Sequence, residues 1–252
     1  MQKQLLPDDL PSSVITQSSI YPDGHVTDWH SHSFAQLVYA CSGVMTVRVA
    51  DSLWVIPPQR AVWVPSGISH KVSKHGQAHM RSLYVRPDAF NDLPENSCVL
   101  TVSPLMRELI LHLCSLPERY EPGSEEERIT QVIMDQLKNA TFESFYLPET
   151  TDKRLKPVCQ AIQAHPENSQ TLIQWASHVN ISSRALSRLF RTELGLSLVQ
   201  YRQQVRLLEA LKKLAKGEPV TRVAMDVGFS SLSAFNRLFR RSFGKTPGVF
   251  FN

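Results

Sequence analysis

Three histidines and a glutamine stand at spacings that suit one shared ligand. Gly24 is followed after five residues by His30-Ser31-His32, then by Gln36 after three more and Gly43 after six. Further on come Pro65-Ser66-Gly67 and, two residues later, His70. Alternate residues of a strand point to one face, so His30 and His32 are expected side by side, with Gln36 further along and His70 supplied by a facing strand. Three imidazoles and one oxygen donor can bind a divalent transition metal. Glutamine is neutral and both donates and accepts hydrogen bonds, so an organic ligand would suit the same four side chains. His25, His75 and His79 lack this spacing and are expected at the surface or in loops. Trp54 and Trp63 could line a pocket, although an aromatic in a strand more often joins the core.

A second kind of chemistry is written near the end of the chain. Val220, Val223, Ala224 and Val227 recur at helical spacing. Gly228 stops that helix, and Ser230 or Ser231 can cap the next through its hydroxyl. In the second helix Leu232, Phe235, Leu238, Phe239 and Phe243 share one face, while Ser233, Asn236, Arg237 and Arg240 share the other. The pattern occurs twice. Arg188–Gly195 reads RLFRTELG and Arg237–Gly244 reads RLFRRSFG; Ala176, Val179 and Ser182-Ser183 match Ala224, Val227 and Ser230-Ser231. In the first copy Ser183 opens the helix and Arg184, Ser187, Arg188 and Arg191 face outward. Arginine grips guanine or phosphate. Arg184, Ser187 and Arg188 are expected at bases, and Arg191 at the phosphate backbone or a carboxylate of its own domain.

These residues carry two resemblances. Asp152–Asn252 resembles the DNA-binding domain of the AraC/XylS family of bacterial transcription regulators. The signature stands as VAMDVGFSSLSAFNRLFRRSFGKTP, Val223–Pro247. Ala224, Gly228, Phe229, Ser231, Phe235, Phe239, Gly244, Thr246 and Pro247 match it, and Ala176, Ser183, Leu186, Phe190, Gly195, Tyr201 and Arg206 match in the first half. Phe250-Phe251 replaces a Tyr-Arg pair that commonly follows the Thr-Pro. The histidine spacing resembles the two cupin motifs, with Gln36 in place of a glutamate, Gln59 in place of a glycine and Lys74 in place of an asparagine. The resemblances imply a regulator that binds double-stranded DNA in response to a small-molecule or metal effector. They imply a homodimer, and contact with RNA polymerase if it activates. The reading from a different class is a cupin metalloenzyme, an oxygenase or isomerase with an accessory helical domain. No acid/base pair has positional support for it.

Charge divides the chain the same way. From Asp152 onward there are 16 Lys+Arg and 6 Asp+Glu, net +10; before it there are 11 and 17, net −6. The basic half fits a polyanion. Cys41, Cys98, Cys114 and Cys159 show no CxxC pairing and are expected as reduced thiols of a cytoplasmic protein. No secretory signal or membrane-spanning run is visible.

The elements expected to position these residues make an α+β chain of two domains. Residues 1–102 are expected to form a flexible arm to Ile20 and then a cupin-like β-barrel, with strands at Gln36–Ala40, Met45–Val49, Leu53–Ile56, Ala61–Val64 and His79–Val85. Residues 103–151 supply helices at Ser103–Leu116 and Ile129–Phe142, then a linker, Leu147–Thr151. The stripes Leu105, Leu109, Leu113, with Met106 and Ile110 beside it, and Ile129, Val132, Ile133, Leu137 would either close the barrel or pair with a second chain. Residues 152–252 are expected to be all-α, with helix-turn-helix units at 169–193 and 218–243. The long helix between them, Ser197–Lys216, spans ~28 Å. That approaches the ~34 Å between successive major grooves.

Overall fold

The structure is a computed structural model that describes residues 12–140, 142–143 and 147–250. The strands are β1 (Val14–Tyr21), β2 (Ala35–Arg48), β3 (Ser52–Ile56), β4 (Arg60–Val64), β5 (Lys71–Val85), β6 (Cys98–Thr101), β7 (Phe142–Glu143) and β8 (Leu147–Pro148). The helices are α1 (Pro104–Leu113), α2 (Glu125–Lys138), α3 (Leu155–Ala164), α4 (Leu172–His178), α5 (Ser183–Leu194), α6 (Leu198–Ala215), α7 (Val220–Asp226) and α8 (Leu232–Phe243). Two compact units result: Met1–Val49 with Ile56–Phe145, and Ala50–Val55 with Tyr146–Asn252.

The first unit is an antiparallel sheet in the order β1-β5-β2-β4-β6-β7. Its outer face carries Leu37, Tyr39, Ala61, Trp63, Leu83 and Val85, and the helices cover it with Met106, Ile110, Leu113, Ile133, Met134 and Leu137. Trp63 therefore belongs to this core, and its indole donates to Pro94 O at 2.8 Å. Along β5 burial alternates from Val72 to Ser82, so Val72, Lys74, Ala78, Met80 and Ser82 form the inner face. β2 runs unbroken through the turn expected between Ala40 and Met45. Its register shifts between Ala40 and Val44, a bulge that Gly43 makes possible at φ +78°. A Cβ there would lie 2.7 Å from Gln77 O.

Several expectations are corrected. Residues 12–20 are not an arm: β1 pairs along β5, and the Tyr120 hydroxyl holds its start through Ser13 Oγ at 2.9 Å and Val14 N at 3.1 Å. The expected arm up to residue 11 lies outside the described residues. The polar run Thr16–Ser19 hid the strand, because an edge strand with one solvent face carries a weak apolar signal. Leu147-Pro148 is a strand, paired with Ser52 and Leu53, where a linker was expected. In α1 Met106 and Ile110, expected beside the stripe, are buried with Leu113, while Leu109 is half-buried and Leu105 is 56% exposed. In α2 Ile133 and Leu137 are buried as expected, Thr130 and Met134 are buried with them, and Val132 is 42% exposed. The four-residue leucine spacing put the centre of the α1 face one residue from where it lies.

The second unit is helical apart from β8 and its pairing with residues 52–53. Ser182 Oγ caps α5 on Ala185 N and Ser231 Oγ caps α8 on Ala234 N, while Gly195 and Gly244 end these helices at φ +68° and +77°. The connector α6 starts in a capping box of Ser197 and Gln200. Its two arginines bind the loop ahead of the first helix pair. Arg202 Nη1 donates to Asn168 O and Gln170 O, and Arg206 Nε donates to Pro166 O at 2.8 Å. The same guanidinium lies 5.8 Å from the centroid of the Phe229 ring. In the second pair Phe235, Phe239, Phe243 and Phe250 stack in sequence. Phe250, 2% exposed, is thus a core residue, while Phe251 lies outside the described residues.

The duplication also repeats a backbone conformation. Asn180 and Gly228 occupy matching turns, at φ +53° and +89°. Asparagine tolerates this left-handed region. At Gly228 an added Cβ would lie 2.6 Å from Glu167 Cα and 2.8 Å from Arg206 Nη2. Gly228→Ala is expected to lower unfolding free energy by about 2–5 kcal/mol, combining backbone strain with overpacking. Asn180→Gly, free to adopt the same φ, should change it by less than ~1 kcal/mol. Urea denaturation of the full chain checks both, and equal costs would remove the Arg206 contact as the reason for glycine.

Candidate functional site

The outward faces of α5 and α8 present the residues singled out from the sequence. Arg184, Ser187, Arg188 and Arg191 are exposed on α5, as are Ser233, Arg237 and Arg240 on α8. Asn236 and Ser183 are half-buried, and Ser231 is exposed at its cap. Leu186, Phe190, Phe235 and Phe239 fill the opposite faces and fix the roll of each helix. Among the described residues no side-chain hydrogen bond or ion pair engages Arg184, Arg188, Arg191, Arg237 or Arg240. The carboxylate partner expected for Arg191 is therefore absent among them. Arg202 and Arg206, by contrast, spend their donors on backbone carbonyls. The helix connecting the two faces has 18 residues, a length of ~27 Å.

The histidines also meet, by another route than expected. His30 and His32 do not share a strand. His30 forms a single antiparallel bridge with His70, and His32 lies in the loop before β2. His30 N donates to His70 O at 3.0 Å and His70 N to His30 O at 2.8 Å. The side-chain donor atoms of His30, His32 and His70 lie within 4.8 Å of one another. Gln36, 5% exposed on β2, completes the group. His25, expected at the surface or in a loop, lies half-buried in the loop after β1, its ring 4.6 Å from that of Tyr21.

Hydrogen bonds set the tautomers. Nδ1 of His30 lies 2.8 Å from Asp28 O, Nδ1 of His32 lies 2.7 Å from Phe34 O, and Nδ1 of His70 lies 2.9 Å from Ile68 O. A carbonyl only accepts, so each Nδ1 carries the hydrogen. Burial holds the His70 imidazole down at about 4, so it is neutral at neutral pH. Its Nε2 then offers a lone pair, as that of His32 does in the uncharged form. Both Nε2 atoms lie 3.1 Å from Gln36 Oε1, itself an acceptor, while Gln36 Nε2 donates to Ser82 Oγ at 3.1 Å. With both imidazoles uncharged, three lone pairs face one another and require a hydrogen or a cation between them. Two arrangements supply it. A divalent cation takes the imidazoles and the amide oxygen; or the amide turns over, donates one N–H to each imidazole, and accepts from Ser82. The Nδ1–H to carbonyl pattern is the outer shell that metal-binding histidines ordinarily have.

Comparison with known proteins places these two sites in one family. A helix-turn-helix domain model matches residues 175–252, and an AraC-like ligand binding domain model matches residues 14–134. The regulator NimR of Escherichia coli K12 is 37% identical over 221 residues, 87% of this chain and 80% of its own. The arabinose operon regulatory protein of the same strain is 32% identical over 134 residues, 51% of this chain and 45% of its own. Among solved structures ToxT of Vibrio cholerae aligns over 95% of this chain and 98% of its own, at 9% identity and a TM-score of 0.40. NimR is named a transcriptional regulator and the arabinose protein an operon regulator, which sets the metalloenzyme reading aside. A ligand-binding sheet domain, two capped helix-turn-helix units and these relatives together make the chain a DNA-binding transcription regulator of the AraC family.

Proposed function

We propose that α5 and α8 read operator DNA from adjacent major grooves, and that the sheet domain takes its effector at His30, His32, Gln36 and His70. The observation that carries the first half is the set of five arginines left uncommitted on two outward faces. In this reading Arg184, Ser187 and Arg188 approach bases from α5, and Ser233, Asn236 and Arg237 from α8. Arg191, Arg240, Ser183 and Ser231 lie nearer the helix ends and serve phosphates. Residues 1–102 sense, 103–151 pair chains, and 152–252 bind DNA. The described residues contain no helix long and apolar enough to cross a membrane, in keeping with a cytoplasmic regulator.

Arg188→Ala and Arg237→Ala are each expected to weaken operator binding and relax sequence preference, a base contact being worth roughly 1–3 kcal/mol. Arg191→Ala should weaken binding to all sequences alike and flatten the salt dependence. Gel-shift titrations at several salt concentrations check this; unchanged affinity and preference in the first two would move the reading face elsewhere.

For pairing of chains, the inner stripes of α1 and α2 are already used within the unit. What remains outward is Leu105, with Val132 on α2. Leu105→Glu should therefore give a folded monomer where the parent sediments as a dimer. An unchanged sedimentation mass places the interface on another face.

In the effector site the donor set fits a divalent transition metal: three imidazoles fixed in the binding tautomer, and one neutral oxygen. Bound there, the metal would supply a cross-link between the loop at His30–His32, β2 and the start of β5. Metal content of untagged protein is expected near one equivalent per chain, and absent in the His32→Ala, His70→Ala double variant. No metal in either, even with zinc, nickel or manganese added, leaves the turned-over amide and an organic effector.

A further inference from the structure

Lys74 is the one lysine, arginine, aspartate or glutamate that is buried among the residues whose side chains are described, at 1% exposed. It stands on the inner face of β5 between Val72 and Ala78, with Met80 beyond. Its main chain is fixed on the other side: Lys74 N donates to His25 O at 2.9 Å, and Gly24 N donates to Lys74 O at 3.0 Å. Its ammonium lies 4.4 Å from the centroid of the Tyr21 ring. Among the described residues it makes no hydrogen bond and no ion pair. Asp23, the nearest acid in sequence on the facing segment, directs Oδ1 to Gly76 N at 3.0 Å instead.

An ammonium on a buried side chain, set against a tyrosine ring without an anion, is a costly arrangement in a protein interior. A ring face recovers only part of its lost hydration. Burial alone lowers the Lys74 ammonium to about 8, and no nearby carboxylate opposes that shift. The missing partner is a single negative charge. A phosphate dianion would call for further cations, and Gln36, Ser82 and Tyr84 on this face carry no charge.

We propose that Lys74 is the charge anchor of a ligand position in the sheet domain separate from the cluster of His30, His32, Gln36 and His70, and that this ligand is an organic monocarboxylate whose apolar body lies along Val72, Ala78 and Met80. This rests on the reading of the sheet domain as the effector domain. It does not rest on the metal. Residues 70 and 74 are about 13 Å apart along a strand, so a carboxylate on Lys74 does not reach the histidines.

The test uses the full chain and four matched pairs of probes: hexanoate, decanoate, benzoate and 1-naphthoate, each against its own primary amide, by isothermal titration calorimetry. In the parent at least one acid is expected to bind about tenfold or more tighter than its amide, the size of a buried charge-assisted hydrogen bond. In Lys74→Met that ratio should fall to near one with amide affinity unchanged, which also shows the site intact. Lys74→Gln is read the same way if the methionine variant does not fold. A preference for the acid that survives the substitution overturns the proposal, as does binding of none of the eight compounds. Equal binding of acid and amide in the parent also overturns it, while leaving the sheet domain as a pocket for neutral effectors.

Discussion

One guanidinium makes the two helix pairs a single body. Arg206 projects from the connector α6, donates to Pro166 O ahead of the first pair, and lies against Phe229 in the turn of the second. The fit leaves no room for a side chain at Gly228, where a Cβ would meet the arginine itself. Hydrogen bonds from a charged donor to backbone carbonyls are directional and lose strength quickly when bent. The clamp therefore fixes rotation as well as distance. Two recognition faces can enter two grooves of one duplex only if their separation and roll are both held. The aromatic stack behind α8 and the Phe190–Tyr201 contact behind α5 then lock each helix about its own axis.

The sheet unit solves a different problem. Its outer face is apolar and covered by two helices of its own chain. Its inner face mixes apolar groups with Gln36, Ser82, His70 and Lys74, all buried. Polar groups in such a place normally satisfy one another. Gln36 and Ser82 do, but the amide oxygen faces two imidazole lone pairs, and Lys74 faces no acceptor. Both exceptions lie on the same face, and neither is needed to hold the fold, since the strands are already paired along their backbones.

The helical half was legible because its signals are local. Caps, αL glycines and a 3.6-residue apolar period act within a few residues, and the duplication states them twice. Ser182, Ser231, Gly195 and Gly244 stand where that chemistry places them. The matching turn residues Asn180 and Gly228 could also have been paired by the constant offset of 48, but their different identities hid it. The sheet half was less legible because its contacts are distant in sequence. β1 needed Tyr120 and β5 to become a strand, and β8 needed residues 52–53. The centre of the α1 face was read one residue away and Val132 of α2 was placed inside, since apolar spacing alone does not say which side the sheet lies on. His30, His32, Gln36 and His70 were brought together as the spacing suggested. The tautomers were not readable, because the carbonyls that set them depend on how the loops close. Lys74 was visible only as a departure from a motif.

That departure gains meaning beside the other one. Relative to the cupin pattern that this half resembles, Gln36 replaces a carboxylate and Lys74 replaces a neutral amide. Each change raises the charge of the same buried face by one, and neither is matched by a new acid: the buried polar set on the described residues contains no aspartate or glutamate. In a region of low dielectric, uncompensated charge is not tolerated for stability's sake. In the proposed reading a carboxylate from outside supplies the missing charge at Lys74, and the state with that charge compensated differs in energy from the state without it, the kind of difference a regulator needs between its two states.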